Sequence, residues 1–369
     1  MSVEQVIARA DAAATARIQH RHPSHGHPIA FAGISPDTTV VQYMKPLRGF
    51  LDMPGVNEVC VNRPGIVFVE VSGTWRRYEV PELTFRHCMS LAGAVATLTG
   101  QHTSELVPLL GAQLPTGERV QFVQPCATAA DIVAICIRKP SSFRPTLKAF
   151  EAAGLFSRIQ AAKRELQPFE EELLALKDQG RYAEFFAKAV LRKQTIVVGG
   201  KTGSGKTTFM KGLVEEVPLH ERLIGIEDAA ENDFPSHENK LNLFYSKNAQ
   251  GASNVSAKQL LEACLRLRPD RIFLSEIRGE EAYYFFRLAA SGHPGSITSL
   301  HAGSCELAFE QMALMVRESP AGGGMTMPEI KQFARDVVDI VVHFDNDEGG
   351  RHITGIHYDP RARLNRMGA

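Results

Sequence analysis

The sequence has no surplus of either charge: its 369 residues hold 41 basic and 41 acidic side chains. A protein that grips nucleic acid regardless of sequence shows a basic excess, so the balance argues against that class, local patches aside. Long hydrophobic runs are missing too. No stretch approaches the roughly 20 apolar residues that span a bilayer. The first residues lack the basic-then-apolar layout of a secretory signal, and a cytosolic location is therefore expected. Cysteine is sparse. Cys60, Cys88, Cys126, Cys136, Cys264 and Cys305 are scattered, with no C-x-x-C. They read as reduced thiols, mostly buried as small hydrophobes, and not as a disulfide framework.

The rest is ordinary for a globular chain, 44% hydrophobic and 22% charged, and the length suits two or three domains. Residues 1–37 read as a flexible lead-in. His20, His22, His25 and His27 crowd together there, and clustered imidazoles can bind transition metals. Pro23, Gly26 and Pro28 oppose regular structure, so a solvated segment is expected. Residues 38–140 read as an α+β domain. Asn57 to Asn62 alternates apolar with polar, as a half-buried strand does. Arg63-Pro64-Gly65 and Ser72-Gly73 are turns that separate further strands, Ile66 to Val71 and Thr74 to Val80. A helix is expected over Arg86 to Leu98, then strands over Arg119 to Val123 and Asp131 to Arg138. Residues 141–190 are charged and helix-prone (Ile159 to Leu166, Phe169 to Leu176). They read as a long helical linker, or alternatively as two ordinary helices of the following domain. From 191 to 369 strands and helices alternate, which implies an α/β domain with a mostly parallel sheet.

The most specific motif is Gly200-Lys201-Thr202-Gly203-Ser204-Gly205-Lys206-Thr207, a G-x-x-x-x-G-K-[ST] loop. The β-branched run Thr195 to Val198 precedes it, and a helical pattern (Phe209, Met210, Leu213, Val214, Val217) follows. That strand–loop–helix context marks a phosphate-binding P-loop. Gly200, Gly203 and Gly205 let the backbone wrap closely, so that amides of the run Thr202 to Thr208 point at phosphate. The helix adds its positive end. Lys206 is expected to reach the β/γ-phosphates of ATP, and the Thr207 hydroxyl to bind Mg²⁺.

Three later segments narrow the chemistry. Arg271 to Leu274 reads as a buried strand that delivers Glu276 near its carboxyl end. Such an acid holds the Mg²⁺ water shell or polarises an attacking water. Leu223 to Ile226 is a second apolar strand, ending in Glu227 and Asp228. Paired carboxylates suit Mg²⁺, and Glu227 could serve as a general base; a solvated acidic loop is an equal reading. Ser291-Gly292-His293-Pro294-Gly295 leads into Ser296 to Leu300, a strand that ends at His301. That imidazole could report on the γ-phosphate.

Together these segments resemble the secretion ATPase superfamily shared with type II secretion and type IV pilus motors. Gly200 to Thr207 is similar to its Walker A box and Ile226-Glu227-Asp228 with Glu231 to its Asp box. Leu274 to Gly279 is similar to its Walker B box and Ser291 to Ala302 to its His box. Within that group the chain most resembles the hexameric traffic ATPase of bacterial type IV secretion systems. Glu58 to Gly65, Leu114 to Gln121 and Ile137 to Ser141 are similar to that family's first domain.

The resemblance implies a RecA-like P-loop ATPase domain behind a smaller α+β domain, assembled as a homo-hexamer with nucleotide held between the domains. It implies that Arg119 and Arg138 reach the phosphates. Such arginines contribute on the order of 10³–10⁵ in rate in related chemistry. It also implies a place at the cytoplasmic face of the bacterial inner membrane beside other secretion components, with protein or DNA as cargo and no strong binding of free nucleic acid. Two departures stand out. Ala229-Ala230 replaces the family's usual Thr-Pro, and the segment from Ser141 to Val190 is longer than in compact members. The rival readings are a nucleic-acid translocase, an ATP-gated scaffold with negligible turnover, and a small-molecule kinase that shares only the P-loop.

Overall fold

A computed structural model describes residues 36–141, 144–159, 165–246 and 254–367. The histidine-rich tract at His20, His22, His25 and His27 lies outside the described residues. The chain divides into two compact units: Met1–Pro125 with Ala130–Lys163, and Cys126–Ala129 with Arg164–Ala369.

In the first unit, helices α1 (Pro36–Tyr43) and α2 (Lys45–Leu51) precede strands β1 (Val56–Arg63), β2 (Ile66–Val71) and β3 (Thr74–Glu79). Helix α3 (Phe85–Leu98) follows, and then β4 (Leu109–Gln113), β5 (Arg119–Val123), β6 (Ala134–Arg138) and the short helix α4 (Leu147–Ala152). Thr84 starts α3 by accepting a hydrogen bond from the His87 amide at 3.2 Å, which satisfies one of the free amides of a first turn. The strands form one antiparallel sheet in the order β3-β2-β1-β6-β5-β4. Val59, Val61, Val67, Val69, Leu91, Val95, Phe122, Ile135 and Ile137 belong to its core. The alternation in β1 suggested a half-buried strand, but Glu58 and Asn62 are also buried. The reason is position: β1 lies mid-sheet, paired along both edges by β2 and β6, so its polar side chains are flanked by those of two neighbouring strands.

The second unit begins with helices α5 (Pro168–Asp178) and α6 (Tyr182–Leu191). The stretch read as a linker therefore divides, α4 going to the first unit and α5 and α6 to the second. Leu173, Leu176, Phe185, Phe186, Ala189 and Val190 share a core with Ile196, Val198 and Leu213. Apolar residues at three- and four-residue intervals give both helices a buried face that their many charges obscure in the sequence. Of the helix expected over Ile159 to Leu166, residues 160–164 lie outside the described residues, and the flanking residues are not helical.

Then come β7 (Ile196–Gly200), α7 (Lys206–Glu215), β8 (Leu223–Glu227), β9 (Lys240–Phe244), α8 (Ala257–Leu267) and β10 (Arg271–Leu274). They are followed by α9 (Glu281–Ala290), β11 (Ile297–Leu300), α10 (Cys305–Glu318), α11 (Met327–Val337), β12 (Ile340–Asp347), β13 (Gly350–Tyr358) and α12 (Pro360–Met367). The sheet order is β13-β12-β7-β11-β10-β8-β9. All neighbours are parallel except β13, which returns antiparallel to β12. A shared direction puts the carboxyl ends of β7, β8, β10 and β11 along one edge, where ligands of open α/β sheets bind.

Gly225, in the middle of β8, is a site of close approach. A Cβ there would stand 2.7 Å and 2.9 Å from two ring atoms of Phe234, itself buried and 5.3 Å centroid-to-centroid from Phe273. Gly225→Ala is expected to cost about 1–3 kcal/mol through overpacking. Urea unfolding checks this, with a Gly225→Ala/Phe234→Leu double variant regaining part of the loss. A midpoint unchanged from the parent contradicts the contact.

Candidate functional site

Register brings the site together. Leu300 of β11 pairs with Gly199 of β7, and Leu274 of β10 pairs with Ile226 of β8. Each strand therefore stops at nearly the same level. The residues just beyond, the loop from Lys201, Asp228, Ser275-Glu276 and His301, emerge side by side. Backbone bonds hold the level: Ser275 N–H donates to the Ile226 carbonyl at 2.9 Å, and Ile277 N–H to the Ser299 carbonyl at 2.9 Å. The Ser299 hydroxyl adds a bond to the Ser275 carbonyl at 2.7 Å.

These residues enclose a cavity of about 370 Å³. Its lining includes every residue from Thr202 to Thr208, together with Asp228, Glu231, Asn232, Ser275, Glu276, Arg278, His301 and Arg351. The loop has the backbone that its glycines predict. Gly203 and Gly205 have φ of +73° and +100°, which side chains with a Cβ adopt only under strain. Gly200 is confined from outside: a Cβ there would lie 2.4 Å from the Phe344 carbonyl oxygen. Lys206, the first residue of α7, is buried, and its ammonium donates to the Gly200 and Lys201 carbonyls at 2.8 and 2.9 Å. Burial lowers its pKa; Glu276 opposes that shift and Arg278 adds to it. An anion that enters beside Lys206 relieves the same penalty.

Glu276 and His301 meet across the cavity. His301 Nε2 stands 2.9 Å from Glu276 Oε1, and His301 Nδ1 lies 3.2 Å from the Gly200 carbonyl oxygen. A neutral ring can donate to only one of these two acceptors. Arg278 clamps the acids: its guanidinium pairs with Glu276 Oε2 and, at 3.4 Å, with Asp228 Oδ2.

Glu227 departs from its expected place. It is fully buried, at 0% exposure, and is not among the cavity's lining residues. Its Oε2 accepts from the Glu231 and Asn232 amides, both at 3.0 Å, and from Asn232 Nδ2 at 3.1 Å. Its Oε1 accepts from Asn242 Nδ2 at 3.0 Å. Strand periodicity located this carboxylate but could not show that the loop after it folds back to bond it. Arg119 and Arg138 belong to the first unit, where they pair across β5 and β6 as exposed residues. Arg138 Nε lies 3.6 Å from Glu58 Oε1.

The pattern in the sequence did not mark Arg351 or the ion pair between Lys201 and Asp345, at 2.9 Å. Arg351 and Asp345 come from the β12–β13 hairpin, and only the sheet order reveals them. Arg278 was visible as part of a box, without its clamping role. The donor set suits a hard cation: the Thr207 hydroxyl and the Asp228 and Glu276 carboxylates all line the cavity, and Mg²⁺ uses one or two carboxylates plus substrate phosphates.

The chain is similar to known secretion proteins. A family profile described as "Type II/IV secretion system protein" matches residues 155–334. The type IV secretion system protein VirB11 of Brucella suis is 47% identical over 337 residues, covering 90% of this chain and 93% of that protein. VirB11 of Bartonella quintana is 38% identical over 340 residues, covering 89% of this chain and 95% of that protein. The crystal structure of the VirB11 ATPase from the Brucella suis type IV secretion system, in complex with sulphate, matches with a TM-score of 0.84 at 47% identity. It covers 89% of this chain and 99% of that one.

The Glu227 network makes a checkable prediction. Glu227→Gln places an amide donor against groups that are all donors, so at least one buried bond is lost. The expected cost is about 1–3 kcal/mol. The amide should turn its NH2 to the Oε1 side, where Asn242 Nδ2 is the single donor, and a lower urea midpoint is the expected signature. A midpoint unchanged from the parent refutes it.

Proposed function

The chain belongs to the VirB11 family of type IV secretion ATPases, and from that premise we propose how its cavity turns ATP hydrolysis into secretion. It is an ATP-hydrolysing enzyme with the two-domain, RecA-like fold of that family. The proposal extends this to Mg²⁺-dependent hydrolysis that cycles a homo-hexameric ring. The observation that carries it is the convergence of the Gly200–Thr207 loop, Glu276 and His301 on one cavity.

In this reading the loop amides and Lys206 bind the β- and γ-phosphates. Thr207, Asp228 and Glu276 hold the cation, which supplies charge neutralisation at the phosphates when bound. Glu276 orients the attacking water. Glu227 holds the loop that carries Asp228, its oxygens already engaged by four donors. His301 couples the two halves of the cavity, because its ring touches both the Gly200 carbonyl and Glu276. Loss of the γ-phosphate changes what Glu276 and Lys206 face, and the histidine passes that change to the strand that carries it. Switches of this kind order a segment around phosphate and release it on hydrolysis. Arg119 and Arg138 are proposed to add positive charge to the transferring phosphoryl group.

No helix among the described residues is long and apolar enough to cross a membrane. We place the ring peripherally at the cytoplasmic face of the inner membrane, beside other secretion components, acting on protein or DNA cargo.

Phosphate release tests the chemistry. Lys206→Ala is expected to abolish turnover, and Glu276→Gln to lower kcat by about 10²–10⁴, the range for a lost proton-handling or water-orienting group. Turnover should require added Mg²⁺ and stop with EDTA. Native mass measurement with an ATP analogue should give six copies. Undiminished hydrolysis by Lys206→Ala sinks the site assignment, and a monomer at all nucleotide concentrations sinks the ring.

A further inference from the structure

We propose that Arg351, on the β12–β13 hairpin, is a nucleotide-contacting residue whose guanidinium binds the phosphates from the side of the cavity opposite the acids. The inference rests on the nucleotide reading of the cavity given above and adds a contact from outside its four sequence boxes. Arg351 also lies beyond residues 155–334, which the family profile matches.

Sheet register puts the hairpin in place. Phe344 of β12 pairs with Gly200, the first residue of the loop. Strand β12 then runs on to Asp347, past the end of β7. Arg351 pairs with Asn346, two positions beyond Phe344. Its Cα therefore sits at the level of the loop and not of the sheet. The hairpin is tied there, since Lys201 in the loop and Asp345 in β12 form an ion pair at 2.9 Å. The side chain reaches over the start of α7: Arg351 Cδ stands 3.4 Å from the position that a Cβ on Gly205 would occupy. Only the guanidinium lies beyond Cδ, so the charge sits at the mouth of the amide cradle.

Charge accounting within the cavity singles this residue out. Its lining carries three permanent cations, Lys206, Arg278 and Arg351. Lys206 is bonded to two loop carbonyls. Arg278 is engaged by Glu276 and Asp228. Among the described residues, the Arg351 guanidinium makes no hydrogen bond or ion pair, its backbone alone being paired, with Asn346. A guanidinium offers five donors in a planar fork that matches phosphate oxygens. Held beside the loop without an acceptor of its own, it is preorganised for an anion that the loop also binds. At Gly205 the constraint is the backbone, with φ of +100°, while a Cβ there would simply touch the Arg351 side chain.

The test is equilibrium binding of ATP, ADP and AMP to the full chain and its variants, with thermal midpoints as the folding control. Arg351 is exposed, so Arg351→Gln should fold as the parent does. The expected result is about a tenfold or greater rise in Kd for ATP, the size of a lost bond to a charged group. The rise should be smaller for ADP and absent for AMP. Arg351→Lys should recover part of the loss, because it keeps the charge but not the fork. Lys206→Ala serves as the reference for the reading of the cavity itself. If the parent binds ATP and Lys206→Ala loses it while Arg351→Gln is unaffected, the nucleotide reading stands and this inference falls. An equal loss for ATP and AMP also overturns the phosphate assignment. A parent chain that binds none of the three removes the reading of the cavity, and the inference with it.

Discussion

One carbonyl oxygen, that of Gly200, joins the parts of this site that the sequence keeps far apart. It accepts from the Lys206 ammonium at 2.8 Å and stands 3.2 Å from His301 Nδ1. The loop lysine and a histidine 101 residues beyond Gly200 thus read the same atom. Gly200 can occupy that point only because it has no Cβ, since the Phe344 carbonyl fills the space a side chain needs. The phosphate loop is therefore not a free-standing motif. It is pressed between β11 and β12, and its shape depends on both neighbours.

Much of the second unit was legible in the sequence because local chemistry dictates it. A β-branched run, three glycines and a helical repeat require a strand, a tight loop and a helix wherever they occur. The apolar strands that end at Glu227 and Glu276 were equally clear, as was the strand before His301. Side-chain roles were less legible. Glu227 and Asp228 are neighbours in sequence, yet Glu227 is fully buried under four donors while Asp228 lines the cavity. That difference comes from Asn232 and Asn242, which reach Glu227 through the fold of a loop and the pairing of β9. No period in the sequence encodes it.

The first unit shows the same division. Turns at Arg63-Pro64-Gly65 and Ser72-Gly73 stand where their residues predict, and α3 begins one residue before the expected Arg86. Strand β4 and helices α1 and α2 escaped notice, since each is short and lacks a clear period. Of the two readings of residues 141–190, that of helices of the following domain is the one that fits α5 and α6, and the linker reading fails there for a different reason. Helices α5 and α6 carry enough charge to resemble a solvated arm, but Phe185, Phe186, Leu173 and Leu176 anchor them in a core. Net composition averages over faces, whereas burial is decided face by face.

The place of β12 beside β7 also sets an order of events during synthesis. Lys201 and Asp345, which tie the hairpin to the loop, are 144 residues apart in the chain. While the ribosome is still translating the segment between them, β7 has an open edge and Gly200 lacks the wall that confines it. Translation adds about 5–20 residues per second, so that interval lasts on the order of ten seconds. Nucleotide cannot steady the early chain through a complete cradle during that time. The first unit closes its sheet from strands that all precede residue 140, and it can settle without waiting. The second unit completes its cradle only after β12 has emerged, and whatever the complete cradle binds has to wait for that strand.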